Sequence, residues 1–203
     1  MLNIIHFFVF LWFVRTLKAV LFWIYLWQLK EYHIGRFLDH FRTEKGKKLI
    51  FNRLLALKLV LLIGLWINVS ELSFLLILFI YAAESLSIFK KDIKKPKVTS
   101  KITLLILASL LAVIVYLYVI FITIRPPLTI ISSLLIFDIF TPLIVSFIVL
   151  LFQPLFVFLR GNILIKAKNK ISTMKHLTVI GITGSYGKTS TKDAIAAVLR
   201  QVR

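Results

Sequence analysis

One stretch constrains this chain more than any other: Ile102–Ile124 runs for 23 residues without a charged side chain. A helix of that length crosses about 30 Å of hydrocarbon, and the core of an ordinary soluble domain asks for no such run. Four comparable runs accompany it. Leu2–Trp27 is interrupted by Arg15 and Lys18, Leu49–Ile67 by Lys58 within its cleanest part, Leu54–Ile67, and Leu72–Phe89 by Glu84. The last begins after Arg125-Pro126-Pro127 and continues from Leu128 to Leu159, with Asp138, Pro142 and Pro154 inside it. Its membrane part is expected at Leu128–Leu151, with the remainder emerging past a bend at Pro154. Residues 1–159 are therefore expected to form an α-helical membrane domain of about five transmembrane helices, at 2–27, 49–67, 72–89, 102–124 and 128–151.

Composition agrees. Of 203 residues, 60% are hydrophobic, against roughly 45–50% in soluble domains, and a solvated disordered chain is excluded on the same ground. The chain has no cysteine, which removes disulfides, thiolate zinc sites and thiol nucleophiles. No basic segment precedes the first apolar run and no small-residue cleavage site follows it, so the N-terminus does not read as a secretory signal.

The formal net charge is +18, and its distribution decides what it means. Lys30, Arg36, Arg42, Lys45, Lys47, Lys48 and Arg53 separate the first two runs. Lys90, Lys91, Lys94, Lys95, Lys97 and Lys101 separate the third and fourth, and Arg160, Lys166, Lys168, Lys170 and Lys175 follow the fifth. The opposite connections hold only Arg125. This asymmetry predicts a multi-pass protein of the cell (inner) membrane, with an outside N-terminus and a cytoplasmic C-terminal segment. The charge is thus accounted for by topology, which argues against nucleic acid as a partner and for the anionic inner leaflet of the lipid bilayer. In Gln28–Lys48, the near-helical spacing of Leu29, His33, Phe37 and Phe41 predicts a helix lying on that leaflet, with Trp23, Tyr25 and Trp27 as an aromatic belt.

Ionisable groups inside a membrane pair or face a cavity. Arg15 and Asp138 fall near mid-bilayer, whereas Lys58 and Glu84 lie on neighbouring antiparallel runs. Two ion pairs follow as expectations, Arg15–Asp138 and Lys58–Glu84, with Lys18 reaching toward the inner interface. They can serve as glue between helices or as part of a polar pathway.

The character of the chain changes at Arg160. Residues 160–176 read as a basic linker and Leu177–Thr183 as a short β-strand. Gly184-Ser185-Tyr186-Gly187-Lys188-Thr189-Ser190 then leads into an apolar-periodic helix from Thr191. Strand, glycine loop with Gly-Lys-Thr, and helix is the context of a phosphate-binding loop. Glycines let backbone N–H groups converge on phosphate oxygens, and the helix N-terminus adds partial positive charge. Lys188 is the candidate catalytic residue, contacting the β- and γ-phosphates of ATP. The Thr189 hydroxyl is the candidate ligand of Mg²⁺. Thr183, Gly184, Ser185, Tyr186, Gly187, Lys188, Thr189 and Ser190 make up the expected nucleotide site. The spacing departs from the common loop, in which glycine would stand at Ile182.

The stretch Gly181-Ile182-Thr183-Gly184-Ser185-Tyr186-Gly187-Lys188-Thr189-Ser190-Thr191-Lys192-Asp193 resembles the Mur ligase family, the ATP-dependent amide-bond-forming enzymes of peptidoglycan assembly. It looks most like the subgroup that adds D-alanyl-D-alanine to UDP-N-acetylmuramoyl-tripeptide. The resemblance covers about 27 of the 203 residues. It implies that Lys188 and neighbouring amides bind ATP phosphates and that Thr189 with Ser190 helps to hold Mg²⁺. It also implies activation of a carboxylate as an acyl phosphate followed by amine attack, with a nucleotide-linked muramoyl peptide and a D-amino-acid dipeptide as partners. Family members are typically soluble and begin with a nucleotide-sugar-binding domain, where this chain has apolar runs. The family's acidic magnesium ligands, its modified lysine and its amino-acid-binding domain have no counterpart here. Residues 177–203 are therefore expected to be the start of a truncated α/β ATP-binding domain, inactive by itself. Two other classes remain open on the sequence: a transporter or ABC-like ATPase, and a non-enzymatic membrane scaffold.

Overall fold

A computed structural model describes residues 2–67, 70–90, 94–124, 126–174 and 180–201. The elements, in order, are α1 (Leu2–Leu29), α2 (Ile34–His40), α3 (Glu44–Ile50), α4 (Arg53–Gly64), α5 (Ser70–Lys90), α6 (Ser100–Thr123), α7 (Pro127–Ser172) and α8 (Lys188–Gln201). The chain divides into two compact units, residues 1–157 and 158–203.

In the first unit, α1 is the hub. Trp12 Nε1 donates to the Leu134 carbonyl at 2.7 Å and Trp27 Nε1 to Ser146 Oγ at 3.0 Å, which sets α1 and α7 parallel. Between α6 and α7 the run is antiparallel, closed by the Tyr116 hydroxyl on the Ser133 carbonyl at 2.7 Å. Two apolar clusters form along α1. One gathers Phe8 and Trp12 with Ile77, Tyr81, Leu134 and Phe137, and the other Ile24 and Trp27 with Phe37, Ile102, Leu105 and Val149. The outer face of α6 exposes Leu107, Leu111, Ile114, Tyr118 and Ile122, the polarity pattern of a surface solvated by lipid.

Among the described residues, three helices are long and apolar enough to cross a membrane: Ile4–Leu29, Ser100–Thr123 and Pro127–Ser172. This corrects the expectation of five. The 49–67 run is cut in two, because Leu49 and Ile50 close α3 and the Asn52 side chain accepts from the Leu54 N–H at 3.2 Å to start a new helix. The resulting α4 has 12 residues, about 18 Å of rise, short of the roughly 30 Å hydrocarbon core. Helix α5 has 21 residues, with Glu71 in its first turn and Glu84 within it, and is not among the three. Near Gly64 the α4–α5 hairpin is tight: a Cβ there would lie 2.3 Å from Ser73 Oγ.

The single surface helix expected over Gln28–Lys48 is instead two short ones. Glu31 and Tyr32 take positive φ and stop α1. His33 then caps α2 and Thr43 caps α3, with the Gly46 N–H donating to Thr43 Oγ1 at 3.1 Å. Trp23 and Trp27 are buried rather than belt residues. Phe37 stacks on Trp27 at 3.8 Å between ring centroids and 9° between planes. Beside this corner the Lys101 ammonium sits 3.3 Å from the Tyr32 ring centroid, and burial raises the Tyr32 phenol above its ordinary range. Burial and then the Lys30 charge lower His40.

Helix α7 is continuous for 46 residues through Pro142 and Pro154, so the chain past the expected Pro154 bend stays helical. Each proline removes one N–H, and the helix continues through the remaining bonds. The basic segment expected as a linker is accordingly helical as far as Ser172.

The second unit is exposed along nearly its whole length. The strand expected at Leu177–Thr183 is corrected: residues 177–179 lie outside the described residues, and 180–183 carry no regular structure. No strand occurs among the described residues. A strand is held by a ladder to a partner, and a lone extended segment has none. The α/β portion is therefore replaced by an irregular loop leading into α8.

Candidate functional site

Two places concentrate functional groups. The first lies inside the 1–157 unit, between the two apolar clusters. The expected pairs Arg15–Asp138 and Lys58–Glu84 are both present, the second at 2.6 Å. They are also cross-linked: Lys58 Nζ lies 2.9 Å from Asp138 Oδ2, and Arg15 Nε 3.4 Å from Glu84 Oε2. The Tyr81 hydroxyl donates to Asp138 Oδ2 at 2.7 Å. Four helices, α1, α4, α5 and α7, thus meet at two cations and two anions. Lys58 and Asp138 are each only 3% exposed. Removing such charges from water costs several kcal/mol per ion, offset here by close opposite charges and a hydroxyl donor. Asp138 also lies four residues before Pro142, so its carbonyl lacks the N–H that a regular helix would offer.

A cavity of about 460 Å³ opens on this cluster, and Lys18, Asn52 and Lys94 line it as well. Lys18 was expected near the inner interface, whereas the sequence gives no sign of Asn52 or Lys94 as members. Tyr81 had a detectable signal in its place one turn before Glu84, on the same helical face. Asn52 and Lys94 had none, since their neighbours come from distant segments.

The second place is the glycine loop of the 158–203 unit. Thr183, Gly184, Ser185, Tyr186 and Gly187 form the irregular segment, and Lys188, Thr189 and Ser190 the first turn of α8. Gly184 (φ 150°) and Gly187 (φ 78°) occupy the region that favours glycine. The Gly187 carbonyl accepts from the Thr191 N–H at 2.9 Å, which makes Gly187 the N-cap. A glycine cap has no side-chain oxygen for the N–H groups of Thr189 and Ser190, so these remain suited to an anion. Lys188 folds its ammonium back onto the Gly184 carbonyl, spanning the loop where a phosphate would sit. Tyr186 is 96% exposed and takes no part in this closure.

These residues fit a polyphosphate: amide donors, one cation and two flexible glycines converge within eight positions. Thr189, the expected Mg²⁺ ligand, lies in the first turn of α8, and Asp193 pairs with Lys192 at 3.2 Å. Among the described residues no group of three or more His, Cys, Asp or Glu could hold a metal ion.

Comparison with protein-family models, with curated proteins and with solved structures finds no match to this chain.

Proposed function

We propose that this chain is a membrane-embedded, ATP-binding protein of the Mur-ligase type, working at the cytoplasmic face in peptidoglycan precursor synthesis. The observation that carries the reading is the closure of Lys188 on Gly184, with both loop glycines at positive φ at the start of α8. In this reading the amides of Thr189 and Ser190 and the Lys188 ammonium hold the β- and γ-phosphates. The Thr189 hydroxyl contributes one ligand to Mg²⁺. ATP would supply the phosphoryl group that activates a carboxylate of a nucleotide-linked muramoyl peptide, and a D-alanyl-D-alanine amine would then displace it. The charge asymmetry of the connections supports the cytoplasmic placement.

The test is binding of a fluorescent ATP analogue with Mg²⁺ to the full chain in neutral nanodiscs. Saturable binding that Lys188→Ala weakens by about tenfold or more is expected, as for loss of a charge-assisted phosphate contact. Equal binding by the variant, or none by the parent chain, overturns the reading.

A further inference from the structure

The four charges of the ion cluster differ in their access to the cavity that they border. The Lys58 and Asp138 side chains are 3% and 1% exposed, whereas those of Arg15 and Glu84 are 23% and 21% exposed. Lys58 and Asp138 therefore form the floor, and Arg15 and Glu84 the face that a bound molecule meets. Across that face runs the longest of the cluster's four ion contacts, 3.4 Å from Arg15 Nε to Glu84 Oε2. Each of the two is also held from below, Arg15 by Asp138 and Glu84 by Lys58 at 2.6 Å. Toward the N-terminal ends of α1 and α7 the space is closed by buried Trp12, Leu134 and Phe137. Toward the other end Asn52 and Lys94 line it, and both are exposed. Phe22, Trp23, Leu55, Ile139 and Pro142 supply an apolar side wall.

We propose that this cavity binds a small zwitterion, an α-amino acid with an apolar side chain. Its carboxylate takes the Arg15 guanidinium and its ammonium the Glu84 carboxylate, in place of the 3.4 Å contact between them. Its side chain lies against the apolar wall. Charge balance selects the zwitterion. The cluster holds two cations and two anions, so a ligand of single charge would leave one ion in excess in a low-dielectric setting. A zwitterion adds one charge of each sign, each beside its opposite. Lys18 has an interaction of its own and Lys94 is exposed, and the balance needs neither. The volume, about 460 Å³, falls within the roughly 300–1,000 Å³ of small-molecule sites, which set a few polar groups in an apolar lining. This inference is independent of the nucleotide reading, because the ligand carries no phosphate and the cavity belongs to the 1–157 unit.

The experiment uses the full chain in neutral micelles and three probes of one shape: leucine, 4-methylpentanoate, which lacks the ammonium, and 3-methylbutylamine, which lacks the carboxylate. Binding of radiolabelled leucine is read by scintillation proximity, with the other two as competitors. Leucine is expected to bind saturably. Each singly charged probe is expected to compete about tenfold or more less well than unlabelled leucine, through loss of one charge-assisted contact. Because the chain has no cysteine, Leu55→Cys places a single thiol on the cavity wall, and leucine is expected to slow its reaction with a polar maleimide. Glu84→Gln leaves one cation in excess. In that background the thiol is expected to be protected better by 4-methylpentanoate than by leucine, the reverse of the order in the parent chain. Absence of saturable leucine binding, equal competition by a singly charged probe, an unprotected thiol, or an unchanged order in Glu84→Gln overturns the proposal. Should Glu84→Gln fail to fold, the order of the three probes on the parent chain and the protection of the thiol decide it.

Discussion

Lys58 on α4 brings its ammonium within 2.9 Å of Asp138 on α7, 80 positions further along the chain. This contact turns two separate ion pairs into one closed cluster. With Glu84 also 2.6 Å from Lys58, neither carboxylate can be removed without leaving both cations to the other.

Asp138→Asn keeps the shape and removes the charge, so Arg15 and Lys58 must share Glu84. The expected loss is about 3–5 kcal/mol, the cost of leaving a buried charge uncompensated. Replacing Lys58 by Met together with Asp138 by Leu leaves the neutral Arg15–Glu84 pair and is expected to recover much of that loss. Reversible unfolding of Lys58→Met, Asp138→Leu and the pair in mixed detergent–SDS micelles, run as a double-mutant cycle, measures the coupling. Additive losses would show that the Lys58–Asp138 contact contributes nothing.

Phe37 is buried and stacked on Trp27. Phe37→Ala is expected to destabilise the unit by about 3 kcal/mol through the cavity it leaves. It should also shift tryptophan emission to the red and weaken the near-ultraviolet circular dichroism. A Phe37→Leu variant is expected to retain most of the stability but lose the aromatic dichroism.

Gly46 and Gly161 should respond in opposite directions. A Cβ on Gly46 would fall 1.9 Å from the His40 carbonyl oxygen, a backbone atom that cannot swing away, whereas one on Gly161 meets nothing within 4 Å. Gly46→Ala is therefore expected to lower the melting temperature by separating α2 from α3. Gly161→Ala, within α7, is expected to raise helix stability by roughly 0.5–1 kcal/mol. Thermal melts followed by circular dichroism distinguish them.

Gly187 tests the loop by conformation alone, since an added Cβ there has open space but φ is 78°. Gly187→Val should lower the affinity for a fluorescent ATP analogue, from a backbone cost of about 1–2 kcal/mol. Gly187→Asn, which tolerates that region, should lose less. Equal losses would mean that crowding, not backbone conformation, decides nucleotide binding.

The membrane character, the pairing of Arg15 with Asp138 and of Lys58 with Glu84, and the turn of chain around Gly184 and Gly187 were all legible in the sequence. An ion inside an apolar run must find a partner, and few partners were available. Two expectations failed for one shared reason, that local pattern says nothing of where a helix is cut. Asn52 splits the 49–67 run by capping, and Thr43 with Gly46 splits the surface helix. Pro154 was expected to bend the chain, and α7 runs on through it as helix. The strand at 177–183 was expected from β-branched residues, whose preference is expressed only against a neighbouring strand.

What the sequence alone determined is a set of apolar segments, the charges within them and the location of a glycine-rich turn before Lys188, because hydropathy, charge and glycine content are properties of single positions. Tertiary structure alone decided that Lys58 bridges Glu84 to Asp138, that Trp27 stacks on Phe37 rather than facing lipid, and that Lys18 and Lys94 share a cavity. Each of these joins segments far apart in the chain. Their meeting depends on how whole helices pack side by side, and no local pattern carries that information.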